Sequence, residues 1–558
     1  MKIYCKNMIS LLLLSAVCIF AGSALGAVKI DAVFFAQTHV QKPDSPWFKL
    51  VGDRAALIKV NVVSPSGDSA PPVVAQLTLK GAVTNLALRG PAKLPVSIPL
   101  EPGVVEHRFD NSFTSMIPKE WVQRGLQVTV KAGDETAAFP DLKVGAPTVV
   151  NMTMFDIHYF AYETKDYVAG TLEELEAKWP VAKLNVQRVP RILFDELIVP
   201  ARAGLTATRC RSPEDYLKKT GKAFDGEQMT GLQWKDALQL AGGQTRMNLF
   251  LVNIYGVNAG GDAWDFGGVT RVGNVGTLNH ELGHALGRPH LNDEPEYPHR
   301  DVMYGIVGRG PHVGPTWGFD PRIGLPGAQP GMPYFIPPVV QSNSVGQTPG
   351  MWKRDPMQGG GSGDEEKGFL MRYFSDYSMH KMQEYLENKV VVWSESLKSY
   401  ATWDDKTASY SKILPGDGYS LPIERNVEVI SVIAAVSAVT PQANFIYRPI
   451  GPYVSGMIKL YDPTVAEDRA LAAKGFAPQG GCDVSLRVTQ GGKVKTYMLP
   501  VEWRTNDDPL VPWSLTTRGV NLPARDGKVT RVELLLTPDA EKNGLPDNPK
   551  VLDTRICD

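Results

Sequence analysis

Between residues 27 and 148 the chain runs in short stretches of alternating apolar and polar positions. Ala56-Leu57-Ile58-Lys59-Val60-Asn61-Val62-Val63 and Gln76 to Lys80 are examples, set apart by Pro, Gly, Ser and Asp turns. Period-two alternation predicts strands, and this spacing predicts a sandwich-like β module. From about 149 the texture changes. A strand-like run from Thr148 to Met152 precedes Thr171-Leu172-Glu173-Glu174, which reads as a capping box opening a short helix. Ser212-Pro213-Glu214 reads as an N-cap with Pro at the first helical position. Met229 to Leu240 has helical apolar spacing and stops at Gly242-Gly243. Met247 to Val257 is a strand candidate, and a Gly-rich loop runs from Gly256 to Gly276. Strands and helices mixed in this way predict an α+β unit.

A long irregular stretch, 292–368, follows, rich in Pro and Gly and containing Gly359-Gly360-Gly361-Ser362-Gly363. Structureless loops of this length belong to functional sites or linkers. Ser375 to Lys389 predicts a helix with Met379, Met382, Tyr385 and Leu386 on one face. Beyond 401 short strands and turns return as a second β module reaching Asp558. No internal repeat is visible. The expected division is a signal peptide over 1–26, an N-terminal β module over 27–148, a catalytic unit over 149–400 and a C-terminal β module over 401–558. The expected fold class is therefore α+β multidomain.

Composition narrows the function. The 558 residues suffice for three or four units with a sizeable core. With 58 basic against 59 acidic residues and no basic block, electrostatic nucleic-acid binding is excluded as a leading reading. Gly 53 and Pro 43 favour turns and loops over a helical bundle, and 43% hydrophobic content excludes a disordered chain. At the N-terminus, Lys2 and Lys6 precede an apolar run from Met8 to Gly22, and Ala24-Leu25-Gly26 offers small residues for cleavage. That pattern predicts an exported, secreted protein. Val17 before Cys18 does not suit a lipid anchor, and Val427 to Val439 is too short to cross a bilayer, so no transmembrane span is expected in the mature chain. Cys5 and Cys18 leave with the signal. Of Cys210, Cys482 and Cys557, an oxidising compartment predicts a Cys482–Cys557 pair with Cys210 as a buried odd thiol. A Cys-based zinc cluster is excluded by number.

The chemistry is carried by Thr277-Leu278-Asn279-His280-Glu281-Leu282-Gly283-His284-Ala285-Leu286-Gly287-Arg288-Pro289-His290. On a helix, His280 and His284 project from one face and can grip one metal ion. Glu281 stands beside them as a candidate general base. Gly287 can end the helix in a left-handed turn, Pro289 cannot continue it, and His290 can return as third ligand. Three neutral imidazoles leave a fourth tetrahedral position open, as one catalytic Zn2+ requires.

This extended HExxHxxGxxH pattern closely resembles the metzincin metallopeptidases. The resemblance implies a mixed sheet over an active-site helix, with a Met-containing turn beneath zinc. Asp301-Val302-Met303-Tyr304 and Asp355-Pro356-Met357-Gln358-Gly359-Gly360 compete for that turn. A narrower resemblance, to the StcE/TagA-type, dictomallein-like secreted mucinases, rests on several segments. These are Ala36-Gln37-Thr38-His39-Val40, Ile117-Pro118-Lys119-Glu120-Trp121, Thr316-Trp317-Gly318-Phe319-Asp320, Asp355-Pro356-Met357 and Glu387-Asn388-Lys389. It favours Met357 over Met303. The chain departs from that family in having Leu291 after the third His and in being shorter than its large members. The resemblance implies a zinc endopeptidase cutting mucin-type, O-glycosylated proteins. Two alternatives stay open: a general secreted metalloprotease without glycan dependence, and a glycan-binding adhesin with a vestigial zinc domain. The intact Glu281 argues against the second.

Other features read more plainly. Tyr304 reads as a packed loop aromatic or an oxyanion contact, His299 and His312 as solvated loop histidines, and His158 as a satisfied core residue. Gly305 to Gly314 reads as loop, and Gly363-Asp364-Glu365-Glu366 as a solvated acidic turn. Trp264, Trp317 and Trp352 flank the site region as glycan platforms or as packing.

Overall fold

The computed structural model describes residues 28–557 apart from 100–105, 164, 203, 244–245, 256–259, 304, 309, 323–332, 341–347, 359–368, 415–416, 418 and 420. The expected signal peptide, Tyr304, the run from Gly359 to Gly363 and the expected acidic turn after it lie outside the described residues.

The N-terminal strands form two antiparallel sheets. One runs Val40–Gln41, Lys29–Ala36, Ala56–Val63, Phe113–Ile117; the other Ala82–Ala87, Val73–Leu79, Gln127–Ala132, Glu135–Phe139. Val73–Leu79 alternates buried and half-buried positions, as a strand with one face on a core must. Ala56–Val63 is buried throughout. Ile58, Val60 and Val62 face the second sheet, while Leu57 packs against Trp317 and Phe335 from the long stretch after the histidine motif.

At the centre lies a five-stranded sheet in the order Lys183–Phe194, Val149–Tyr159, Leu249–Ile254, Gly267–Arg271, Asp262–Ala263. The first four strands are parallel and the edge strand Asp262–Ala263 is antiparallel. Parallel neighbours need crossovers, supplied here by α1 (Thr171–Lys178), α2 (Pro213–Thr220) and α3 (Gln228–Ala241). Both faces of this sheet are covered, as a parallel sheet requires. Phe155, Ile157, Phe250 and Val252 pack on Leu232, Trp234 and Leu238 of α3. On the other face Met152, Met154, Leu249 and Leu251 meet α4 (Val275–Ala285) through Leu278 and Leu282, and α5 (Asp376–Lys389) through Met382 and Leu386.

The C-terminal region adds two four-stranded sheets, one centred on Glu424–Val436 and one on Val484–Gln490 and Val529–Leu536. A helix, α6 (Ala466–Gly475), interrupts them where only strands and turns were expected. Val429, Ile433, Phe445, Tyr447 and Tyr453 continue the α3 side of the central core, so α3 is packed between two sheets.

Several local expectations are met. Ser212 caps α2, accepting from Asp215 N at 3.1 Å, and Ser375 caps α5, accepting from Ser378 N at 3.1 Å. The capping box at α1 is not met. Gly170, at φ 88°, is the N-cap, and Thr171 already lies in the helix with its hydroxyl donating to Val168 O. Glu174 instead accepts from Lys178 and from the Leu370 and Met371 amides. The expected Cys482–Cys557 bridge does not form either. Cys482 precedes the strand end where Val484 pairs Leu536, whereas Cys557 N bonds Thr530 O at the other end of Val529–Leu536. Seven residues of extended strand put them roughly 20 Å apart, far beyond disulfide reach. Cys210 is buried, as expected. Among the described residues no helix is long and apolar enough to cross a membrane.

Candidate metal centre

α4 starts where the Asn274 side chain accepts from Thr277 N at 2.9 Å. Leu278, Leu282 and Ala285 are fully buried against the central sheet, which turns His280 and His284 together to the opposite side. The helix then ends as expected. Gly287 takes φ +79°, with the Tyr385 ring where a side chain would stand, and Arg288 N donates back to Gly283 O at 3.0 Å. That reversal returns His290.

His280 Nε2 lies 3.2 Å from both His284 Nε2 and His290 Nε2. His280 Nδ1 donates to Pro356 O at 2.8 Å and His284 Nδ1 to Arg288 O at 2.6 Å. A carbonyl only accepts, so Nδ1 carries the hydrogen and Nε2 the lone pair in both rings. Burial keeps both rings below the ordinary histidine value, His284 at about 4, so they are neutral near pH 7. Lone pairs converging this closely repel unless a cation lies between them. The three-histidine group therefore fits a metal ion with nitrogen ligands.

Glu281 is 5% exposed, and its Oε2 has no hydrogen-bond partner among the described residues. Burial, and secondarily Asp262, pushes its carboxyl up to about 8 in the metal-free chain. The Gly261 backbone presses on it so closely that any Cβ there would overlap its stem. Gly261 leads into the edge strand, and its carbonyl accepts from the Gln228 amide. None of this environment was legible beforehand, because Gly261 and Asp262 lay inside a run read only as Gly-rich loop.

Beneath α4, Met357 is fully buried, with its sulfur against Gly283. Met303 lies elsewhere, in the two-residue strand Val302–Met303 paired with Ile306–Val307. His299 and His312 are buried rather than solvated. His299 Nε2 meets Asp376 Oδ1 at 2.9 Å, and His312 stacks on Trp352 at 5.4 Å. The first contact pins the long stretch to the start of α5, and the second folds that stretch on itself. His158 is buried within Val149–Tyr159. Trp317 and Trp352 are packed, and Trp264 is 41% exposed with Lys235 Nζ 4.8 Å from its ring. Segments quoted separately from the sequence are neighbours: Phe319 N donates to Thr38 O, Val40 N to Trp317 O, and His39 Nε2 meets Phe374 O.

A mixed sheet, a helix carrying two convergent histidines, a third returned by a glycine turn and a buried carboxylate beside them define a metallopeptidase. The family model described as Peptidase M66 matches residues 106–391, just over half of the chain, and the chain belongs to that StcE-like family. It is 28% identical to dictomallein of Burkholderia mallei (strain ATCC 23344) over 589 residues, covering 95% of this chain and 84% of that protein. Dictomallein of Burkholderia pseudomallei (strain K96243) matches with the same identity and coverage. Dictomallein-2 of Dictyostelium discoideum is 27% identical over 608 residues, covering 94% of this chain and 95% of the relative. The family implies protein substrates.

Proposed function

We propose that the chain is an exported zinc endopeptidase that hydrolyses peptide bonds in O-glycosylated, mucin-like proteins, with Glu281 as general base. The observation that carries the hydrolytic part is the convergence of His280, His284 and His290 beside a buried carboxylate with one oxygen unpartnered among the described residues. His280, His284 and His290 would hold the zinc, which would supply a Lewis acid to polarise the scissile carbonyl and the attacking water. Glu281 takes a proton from the attacking water and later delivers it to the leaving amine. The edge strand Asp262–Ala263 is paired on one side only among the described residues and offers a peptide an edge beside Glu281. No covalent intermediate is needed.

The same arrangement supports a metzincin-like fold, with Met357 rather than Met303 in the Met-turn role because Met357 lies directly under the helix. The paired sheets at each end support flanking β-sandwich-like modules over 27–148 and 401–558. Export rests on the pattern of residues 1–26. The mucin-type substrate rests on family membership and on the StcE-like segments, which is argument by analogy.

The test is mass spectrometry of a mucin-type glycoprotein after incubation with the mature enzyme, on native and enzymatically deglycosylated substrate, with Glu281→Ala as control. Cleavage of the glycosylated form alone, by wild type alone and with zinc retained by the variant, is the expected result; turnover in the variant drops by at least about 100-fold. Equal cleavage of both forms removes the glycan preference. Undiminished activity in Glu281→Ala would overturn the mechanism, and binding without cleavage would turn the reading towards an adhesin.

A further inference from the structure

We infer that Asp355 is a positioning residue for the metal centre, holding the turn whose Pro356 carbonyl fixes the tautomer and direction of His280. The inference rests on the reading of His280, His284 and His290 as ligands of one metal ion.

The two helical histidines are steered differently. His284 uses Arg288 O, a carbonyl in the reversal that its own helix begins. His280 uses Pro356 O, 76 residues further along the chain. Its aim therefore depends on whatever holds residues 355–358. Asp355, 2% exposed, does this from both oxygens. Its Oδ1 accepts from Met357 N at 2.9 Å, while its own carbonyl accepts from Gln358 N, so the turn is closed twice. Its Oδ2 accepts from Ser375 N at 2.8 Å and Ser378 Oγ at 3.0 Å, the first turn of α5. The Tyr297 hydroxyl, which donates to His312 O, stands 3.4 Å from the same oxygen. One carboxylate thus ties the turn under α4 to α5 and to the segment leading away from His290.

The charge itself needs a reason. Among the described residues no Lys or Arg pairs with Asp355, and its hydrogen-bond partners there are all neutral donors. A buried anion without a counter-charge is costly, and a neutral amide could accept several of these bonds at a lower desolvation cost. A cation held by His280, His284 and His290 would supply the missing positive charge. Groups that orient a metal-binding imidazole through its second nitrogen change metal affinity by about 10- to 100-fold when altered.

The experiment uses the full mature chain, wild type, Asp355→Asn and Ser378→Ala. Zinc affinity is measured by competition with a chromogenic chelator, the visible spectrum is recorded after loading with cobalt, and the thermal midpoint is taken without metal. For Asp355→Asn the expected result is zinc binding weakened by about 10- to 100-fold and altered cobalt bands. Ser378→Ala, which removes one donor to the carboxylate, is expected to weaken zinc less and in the same direction. A merely structural role would lower the metal-free midpoint while leaving zinc affinity and the cobalt spectrum of the folded protein as in wild type; that result overturns the inference. If Asp355→Asn does not fold, Ser378→Ala decides: unchanged affinity overturns, weakened affinity with shifted bands supports. A wild-type chain that takes up no zinc overturns the metal reading itself, which is a different failure.

Discussion

His107 stands with its ring edge-on to Phe34 at 5.0 Å and to Trp317 at 5.7 Å, and its Nδ1 has no hydrogen-bond partner among the described residues. Burial, helped by Lys59, pulls it down to about 3. Between its unfolded value of 6.5 and about 3, the unfolded chain binds a proton that the native chain refuses. Stability is therefore full above 6.5 and is lost as pH falls through that window. The group should cost about 3 kcal/mol between pH 7 and pH 4. Urea unfolding of His107→Phe at both pH values should show a drop smaller by that amount, and an equal drop in both proteins would refute the assignment. At this scale the ligand motif was legible because one metal ion demands a fixed spacing on a helix and a glycine turn. His299 and His312 were not, because their burial is decided by Asp376 and Trp352, partners that no local periodicity announces.

Helices join the modules as much as strands do. Arg54, from the turn before Ala56–Val63, sends its guanidinium into the C-terminal end of α1, donating to the carbonyls of Ala177, Trp179 and Val181. Ala177 lies in the last turn of α1, whose carbonyls have no partner within the helix, Trp179 caps it and Val181 follows, so a cation there also meets the negative end of the helix dipole. Glu387 of α5 answers from the other direction, accepting from Ala146 N and pairing with Lys49. Arg54→Ala should lower unfolding free energy by about 3 kcal/mol, and Arg54→Lys should recover only part of it, since one ammonium cannot span three carbonyls. Full recovery by Lys, measured by urea denaturation, would show that charge alone matters. Elements with caps and clear periods, α2, α3 and α5, were readable in advance. The start of α1 shifted because Gly170 supplied a left-handed cap, and α6 was missed because only Ala472 of that helix is buried, so no apolar stripe marks it.

Across the whole molecule, α3 lies between the central sheet and the C-terminal one, with Trp234 and Leu238 in the same core as Ile433, Phe445 and Tyr447. A chain ending at residue 400 would expose that side of α3. It should be insoluble or lack native near-ultraviolet dichroism, and a well-folded, metal-binding 27–400 fragment would contradict the shared core. Sequence texture divides the chain at 401, yet texture reports local period and cannot report which distant faces meet. The long-range ties have a further consequence for a chain made from one end. The partner of His39, Phe374, is synthesised 335 residues later, and the partner of Lys49, Glu387, 338 residues later. At about 5–20 residues per second, the first strands wait tens of seconds on the ribosome before the helix that clasps them exists. His280 waits likewise for Pro356. A peptidase whose first motif histidine is aimed by a carbonyl 76 residues downstream cannot complete its site, and so stays harmless to the machinery that builds it, until that later segment has been made and has folded back.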